Sequence, residues 1–238
     1  MASRLQASLL PATCPQQCEH YSVWAVNRMC SGVGGDFYDF IRINDDQIAI
    51  VIGDVEGHGV RAALVMAQVM GFLRTANENV ARPARMLDML NTLLLDIGDK
   101  LDQMVTCTMF YVVIDTPSGS TYYVNAGHPM PLLVVDGGGD IKSIGTTDLV
   151  LGVENFKPVE GCHTFSEGER LVLYTDGIIE TVGSENELFG RSRLKEVVQE
   201  YIDHAPRQCA EGILDAVEIF RAGKETEDDQ TVIVVDRI

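Results

Sequence analysis

The chain has 238 residues, of which 46% are hydrophobic, and its formal net charge is −17 at pH 7. This length and composition predict one large folded domain that needs no disulfide, and they exclude a disordered chain. The negative charge disfavours nucleic acid and anionic membranes as partners, and it suits cations or a basic protein. We find no signal-peptide pattern and no apolar run near the ~18 residues of a membrane span.

Six cysteines are scattered along the chain. Cys14 and Cys18 are close together, but no second His or Cys pair completes a zinc pattern. Cys30 and Cys107 lie in apolar runs, where a free thiol behaves as a small hydrophobic group. We therefore expect reduced cysteines and a cytoplasmic protein.

The first predicted element is a helix that Pro11 stops. We expect residues 1–12 to be the end of a lead-in helix that continues from an upstream region. Residues 13–238 are then expected to form the functional domain. Within it, residues 21–30 predict the first strand.

Residues 34–54 predict a β-hairpin, because two β-prone runs flank a polar turn at residues 44–46. Centring the turn on its middle residue sets Asp36 opposite Asp54. Directly opposed residues of an antiparallel pair have Cβ atoms about 5 Å apart. Two carboxylates this close are unfavourable unless a cation lies between them, so the hairpin predicts half of a metal site.

The remaining elements come in runs of helices and runs of strands. Helices are predicted at 60–75, which is apolar nearly all round, and at 83–97, which has one apolar face and is closed by Gly98. Strands are predicted at 106–114, 121–125 and 131–135, followed by a hairpin of 162–166 with 170–175. Two further helices precede a last strand at 231–235. This order predicts an α+β fold with antiparallel sheet.

Four aspartates adjoin strand ends or strand starts: Asp36, Asp54, Asp176 and Asp229. Because one antiparallel strand ends beside the start of its neighbour, all four can lie along a single sheet edge. Oxygen ligands without matched His or Cys select Mg²⁺ or Mn²⁺ over Zn²⁺. More than two convergent carboxylates predict two ions, and two ions about 4 Å apart can activate a water for in-line attack on phosphorus.

Five motifs in chain order resemble the metal-dependent serine/threonine protein phosphatases (PPM family), and most closely their bacterial SpoIIE/RsbU branch. The motifs are Gly34-Gly35-Asp36-Phe37-Tyr38-Asp39, Gly53-Asp54-Val55-Glu56-Gly57-His58-Gly59, Asn125-Ala126-Gly127-His128-Pro129, Tyr174-Thr175-Asp176-Gly177 and Asp228-Asp229-Gln230-Thr231. The resemblance implies a four-layer αββα sandwich of two mainly antiparallel sheets flanked by helix pairs.

The resemblance also implies roles for single residues. Asp54 would bridge two Mn²⁺ or Mg²⁺ ions, and the backbone carbonyl of Val55 would add a ligand to the first. Asp176 and Asp229 would hold the second ion, and Asp36 would act directly or through a metal-bound water. The implied reaction is hydrolysis of phosphoserine or phosphothreonine on a regulatory protein, typically an anti-sigma-factor antagonist, by a water that two metals activate.

Other residues near the motifs leave alternatives open. Glu56 stands where this branch more often has Ser, so it is either an added carboxylate beside the metals or a solvated acidic neighbour. Structural turn roles are expected for His58 and His128. Arg28 and Arg61 are candidates to meet a substrate phosphate, with a surface salt bridge as the alternative for each.

The expected partners are a phosphorylated protein substrate and an upstream sensor domain or activator, with homodimer formation as a further option. The helices at 60–75 and 83–97 are the candidate elements for receiving such a signal. The alternative function is a non-catalytic or partner-activated regulatory module of the same fold, although the presence of all four aspartates argues against a non-catalytic one. Gly-Gly-Asp-Phe also resembles a cyclic-dinucleotide synthase signature, but Phe37 replaces the Glu of that motif.

Overall fold

A computed structural model of the protein describes residues 2–11, 20–30, 32–76, 79–135 and 139–238. Cys14, Cys18 and the expected boundary between residues 12 and 13 lie outside these ranges. The chain forms two compact units, which are described separately. The first unit comprises the described residues within Met1–Gln16, Gly32–His128 and Gly145–Phe165, and the second those within Gln17–Ser31, Pro129–Ile144 and Ser166–Ile238.

The elements are numbered in chain order. The helices are α1 (Ala2–Ala7), α2 (Gly59–Thr75), α3 (Pro83–Leu101), α4 (Asp176–Ile179), α5 (Gly190–Glu200) and α6 (Pro206–Arg221). The strands are β1 (Tyr21–Arg28), β2 (Phe37–Arg42), β3 (Gln47–Val55), β4 (Cys107–Asp115), β5 (Ser120–Ala126), β6 (Leu132–Val135), β7 (Asp140–Ser143), β8 (Gly161–Thr164), β9 (Arg170–Tyr174) and β10 (Gln230–Arg237). None of the described helices is long and apolar enough to cross a bilayer.

The first unit holds a sheet in the order β2-β3-β4-β5-β8, in which every neighbouring pair is antiparallel. Helices α2 and α3 pack on this sheet, and their buried side chains, such as Val69 and Leu90, form one core with Val51 and Tyr111. Helix α2 is less buried at its start, where the apolar side chains of Val60 and Leu64 remain exposed.

The buried amide of Asn91 organises an irregular segment of the first unit, which begins at Gly145. Asn91 of α3 is 2% exposed. Its Oδ1 accepts a hydrogen bond from the N–H of Gly152 at 2.7 Å, and its Nδ2 donates to the carbonyl of Glu154 at 2.9 Å. One side chain therefore satisfies a backbone N–H and a backbone carbonyl of a loop that has no regular structure of its own.

The second unit holds a sheet in the order β1-β10-β9-β6-β7, again with only antiparallel pairs. Helix α6 packs on β1 and β10. The buried Arg170 of β9 donates two hydrogen bonds to Asp236, at 2.6 and 2.8 Å, and further ones to the carbonyls of Tyr201 and His204. A buried guanidinium is tolerated because all of these partners satisfy it, and it fixes the α5–α6 connection to the sheet.

The structure contradicts the predicted hairpin of residues 162–166 with 170–175. Strand β8 pairs with β5 in the first sheet, whereas β9 pairs with β6 and β10 in the second. The turn between them therefore closes no hairpin. Instead, the N–H of Gly168 in this turn donates to the carbonyl of Arg237 at 2.9 Å.

The predicted end of the second long helix is also wrong. Helix α3 continues past Gly98 to Leu101, and it is closed by Asp102 in the left-handed conformation, with φ of 50°. The N–H of Gln103 then donates to the carbonyl of Gly98 at 3.1 Å. A Cβ atom at position 98 would lie 2.9 Å from the carbonyl oxygen of Gln103, so the glycine serves a close approach of the returning chain rather than a stop.

The four aspartates do not share one sheet edge. Asp54 lies in β3 of the first sheet and Asp36 directly precedes β2, whereas Asp176 and Asp229 adjoin β9 and β10 of the second. Asp54 is a residue within β3 and not the position after its end. The single-turn helix α4, which begins at Asp176, was not predicted because an Asp-Gly pair after a strand is typical of a turn.

Candidate functional site

Asp36 and Asp54 stand opposite each other at the open end of the β2–β3 hairpin. The pairing of the two strands runs up to these residues in the predicted register, and beyond them the N–H of Val55 donates to the carbonyl of Gly35 at 3.3 Å. Hydrogen-bonded and non-hydrogen-bonded pairs alternate in an antiparallel ladder. Asp36 and Asp54 therefore form a non-hydrogen-bonded pair, in which opposed residues approach most closely, with Cα atoms about 4.5 Å apart.

Gly35 makes room for this pair of carboxylates. A Cβ atom at this position would lie 2.6 Å from Oδ1 of Asp54 and would collide with the carbonyl oxygen of Val55. Only glycine permits the backbone to pass so close to both oxygens. Asp36 is 1% exposed and Asp54 is half-buried. Two carboxylates and one carbonyl are hard oxygen donors, so this end of the first sheet fits Mg²⁺ or Mn²⁺.

Thr106, directly before β4, and Thr108 of β4 organise the polar groups beside this pair. The hydroxyl of Thr106 donates to Oε2 of Glu56, and the N–H of Glu56 donates to the carbonyl of Thr106 at 3.1 Å. Thr108 is the cross-strand partner of Asp54, and its Oγ1 lies 2.9 Å from Nδ1 of His128. Glu56 is exposed, and both its carboxylate and its N–H are hydrogen-bonded to Thr106. His128 is buried, and a structural turn role stays the prediction for it.

Cys107, which pairs with Val55 across β3 and β4, is not a candidate nucleophile. Burial raises the pKa of its thiol well above the ordinary value, and the negative charge of Asp54 raises it further. Nucleophilic and metal-binding cysteines act as thiolates, so the neutral Cys107 serves as a small hydrophobic core residue.

The second unit brings Asp176 and Asp229 together by a similar device. A Cβ atom at Gly177 would collide with the carbonyl oxygen of Asp229, so a glycine is again required where the two chain segments meet. Asp229 is 3% exposed, and its Oδ1 accepts a hydrogen bond from the N–H of Cys30 at 2.8 Å. The half-buried Asp176 accepts one from the N–H of Gly177 at 3.0 Å.

Asp228 is a charge beside this set that was not selected from the sequence. Burial raises the pKa of Asp176, and the negative charges of Asp228 and Glu180 raise it further, against the hydrogen bond from Gly177. Asp228 also accepts a hydrogen bond from the N–H of Asp229 at 2.8 Å. The adjacent carboxylates at 228 and 229 were the available signal, and the structure shows that the charge of Asp228 acts on Asp176.

The remaining candidates lie on the surface. Arg28 forms an exposed ion pair with Asp215 at 3.3 Å, and Arg61 donates to the carbonyl of Met104 at 3.3 Å. His58 is exposed and precedes α2, with no capping hydrogen bond from its side chain. The salt-bridge alternative thus describes Arg28 in this structure.

The structure groups the predicted ligands as two sets, Asp36 with Asp54 in the first unit and Asp176 with Asp229 in the second. Among the residues that the structure describes, no three His, Cys, Asp or Glu side chains form a group that could hold a metal ion by themselves.

Comparison with known proteins identifies the family. The sequence pattern of the family described as Stage II sporulation protein E (SpoIIE) matches residues 44–238, which is most of the chain. The chain belongs to the SpoIIE family. This confirms the resemblance that the five motifs indicated.

Two individual proteins and one solved structure are similar over most of the chain. Phosphoserine phosphatase RsbU of Bacillus subtilis is 25% identical over 238 residues, which is 100% of this chain and 69% of RsbU. Protein IcfG of Synechocystis is 29% identical over 220 residues, which is 82% of this chain and 34% of IcfG. The SiaA-PP2C domain of Pseudomonas aeruginosa superposes with a TM-score of 0.85 at 21% identity, over 100% of this chain and 94% of that one. This likeness shows a PP2C fold and confirms the predicted α+β class with two antiparallel sheets.

The close approach at Gly35 leads to a testable prediction. We expect Gly35→Ala to lower the free energy of unfolding by about 1–3 kcal/mol, because the added methyl group must displace Asp54 or the carbonyl of Val55. Urea unfolding followed by circular dichroism measures the change. The matched control is Gly32→Ala, since a Cβ atom at position 32 meets nothing within 4 Å. Equal stability of the two variants would contradict the close approach.

The raised pKa of Asp176 predicts a pH-dependent effect of Asp176→Asn in the metal-free protein. A carboxyl whose pKa is raised by folding binds its proton more tightly in the folded state, so ionisation destabilises the fold as the pH rises above the ordinary value. We therefore expect Asp176→Asn to increase the free energy of unfolding at pH 7 in EDTA, and to do so less at pH 4. Urea unfolding at both pH values is the measurement, and a greater gain at pH 4 would contradict the prediction.

Proposed function

We propose that this chain is a metal-dependent protein phosphatase that hydrolyses phosphoserine or phosphothreonine on a regulatory protein. The observation that carries the proposal is the opposition of Asp36 and Asp54 across a non-hydrogen-bonded pair, with Gly35 packed against Asp54 and Val55. Membership of the SpoIIE family supports it, as does similarity over the whole chain to RsbU, which is named a phosphoserine phosphatase.

The proposed cofactor is a pair of Mn²⁺ or Mg²⁺ ions. Asp36, Asp54 and the carbonyl of Val55 would hold one ion, and Asp176 and Asp229 would hold the other. Such ions supply positive charge that promotes the ionisation of water and stabilises negative charge on a phosphoryl group. The acidic cluster around Asp176 supports a cation site, because an added positive charge favours the ionised carboxylates.

The chain's own residues would prepare the site for these cations. Gly35 keeps the oxygens of Asp54 and Val55 accessible, and Thr106 orients Glu56 beside them. Glu56 would add negative charge without being a ligand. Arg28 would exchange its exposed partner Asp215 for the phosphate of the substrate, an exchange of low cost because exposed ion pairs contribute about 0–1 kcal/mol.

The proposed substrate is a phosphorylated anti-sigma-factor antagonist, and the setting is cytoplasmic. An upstream sensor domain or activator, and a homodimer, are part of the same proposal. The chain spans a third of IcfG and about two thirds of RsbU, so those proteins carry further segments. The exposed Val60 and Leu64 at the start of α2 support contact with such a segment or with a second copy.

Metal-dependent phosphoester hydrolysis is the test of the proposed activity. We expect the wild-type chain to hydrolyse p-nitrophenyl phosphate with Mn²⁺ and to lose this activity in EDTA. Asp54→Asn should lower kcat/KM by about 10²-fold or more, because an essential electrostatic contact is lost. Asp45→Asn is the matched control, since Asp45 lies in the turn of the same hairpin with its side chain 93% exposed.

If the chain hydrolyses no p-nitrophenyl phosphate with either Mn²⁺ or Mg²⁺, autonomous catalysis is contradicted. That outcome would favour the alternative of a partner-activated or non-catalytic regulatory module. The same variants, incubated with a serine-phosphorylated antagonist protein and followed by phosphate-affinity gel, test the substrate class. Activity on p-nitrophenyl phosphate without activity on the antagonist would contradict the proposed substrate alone.

Glu56 can be tested without changing its shape. Glu56→Gln keeps an acceptor for the Thr106 hydroxyl but removes the charge, so we expect Mn²⁺ to bind on the order of threefold more weakly, as for a solvent-screened charge. Isothermal titration calorimetry measures the dissociation constant. Glu167→Gln serves as the control, because it removes a charge from the turn after β8. An unchanged dissociation constant in Glu56→Gln would assign Glu56 as a solvated neighbour.

A further inference from the structure

Gln6 of α1 is buried and makes both of its amide hydrogen bonds to a single residue. Its Nε2 donates to the carbonyl of Gly34 at 2.8 Å, and its Oε1 accepts from the N–H of Gly34 at 3.1 Å. Gln6 is 4% exposed, although it lies on a short helix whose other residues are mostly exposed. A buried polar side chain with both partners satisfied holds those partners in a defined position.

The contact lies on the free side of an edge strand. β2 is the first strand of its sheet, and the carbonyl of Gly35 points toward β3, where it accepts from Val55. Backbone groups of successive strand residues point to opposite sides, so those of Gly34 point away from β3. The amide of Gln6 therefore bonds to Gly34 as a peptide group of a neighbouring strand would. Gly34 adjoins Gly35 and lies two residues before Asp36.

Two further contacts tie the segment after α1 to β2. The guanidinium of Arg74, on α2, donates to the carbonyl of Leu9 at 2.5 Å and to Oδ2 of the buried Asp39 at 2.7 Å. The hydroxyl of Tyr38 donates to the carbonyl of Pro11 at 3.0 Å. The described part of the lead-in segment thus contacts β2 at Asp39 and Tyr38 through Arg74 and Pro11, and the Gln6 contact lies at the end that carries Asp36.

We infer that Gln6 is a positioning residue for Asp36: its side-chain amide holds the Gly34–Gly35 backbone so that Asp36 stays opposite Asp54. The inference rests on the proposed function in that Asp36 is taken as a metal ligand. Among the hydrogen bonds of the described residues, those from Gln6 are the ones that the outward N–H and carbonyl of Gly34 make. Loss of the amide leaves a Gly-Gly pair, whose backbone no Cβ atom restricts, before the ligand.

The experiment compares Gln6→Ala and Gln6→Glu with Tyr38→Phe in the full chain. Gln6→Glu keeps the size of the side chain but sets a carboxylate oxygen against the carbonyl of Gly34. Both Gln6 variants are expected to bind Mn²⁺ about tenfold more weakly by calorimetry, the equivalent of ~1.4 kcal/mol. In EDTA, peptides covering residues 33–40 should exchange amide hydrogen faster, while peptides from β10 keep their protection and report that the fold is intact.

Tyr38→Phe removes a different contact between the lead-in segment and β2. It should lower the melting temperature without weakening Mn²⁺ binding. Mn²⁺ dissociation constants within twofold of wild type in both Gln6 variants, or an equal loss in Tyr38→Phe, would overturn the inference. A wild-type chain that binds Mn²⁺ but hydrolyses no phosphoester would overturn the proposed function and leave the result for Gln6 standing.

Discussion

Repulsion between Asp36 and Asp54 is the constraint on which the first unit depends. The chain cannot relieve it by sliding one strand, because β3 is paired along its length with β2 on one side and β4 on the other. A shift of one residue would turn every buried side chain of these strands to the opposite face. The apolar pattern of the sheet therefore holds two carboxylates together at its end. A cation that binds between them would relieve their electrostatic repulsion, and this relief would favour binding.

Both acidic sets are built with the same local device. In each, a glycine packs against a backbone carbonyl, Gly35 against Val55 and Gly177 against Asp229. Neighbouring groups then fix the carboxylates: Gly177 and Cys30 donate N–H groups in the second unit, and Thr106 holds Glu56 in the first. The two units share no sheet, so the second set repeats the solution of the first on a separate scaffold.

Local pattern and pairing rules were enough to predict most elements, the hairpin register and the opposition of Asp36 with Asp54. They failed where tertiary contacts decide. Gly98 resembles a helix stop, yet the returning chain at Gln103 requires it inside α3. Strands β8 and β9 are adjacent in sequence with a turn between them, but they join different sheets. The contact of Gln6 with Gly34 spans 28 residues and has no periodic signal, so only the structure reveals it.

The register of the first hairpin also has a consequence for where a fragment of this protein can be cut. The family pattern begins at residue 44, in the turn between β2 and β3. A recombinant fragment that starts there would retain β3 but lose β2, the glycine at position 35 and Asp36. It would expose the long apolar strand β3 as a new sheet edge, and such edges pair with other chains and aggregate. A fragment that keeps this hairpin and its two aspartates should therefore begin before Gly35.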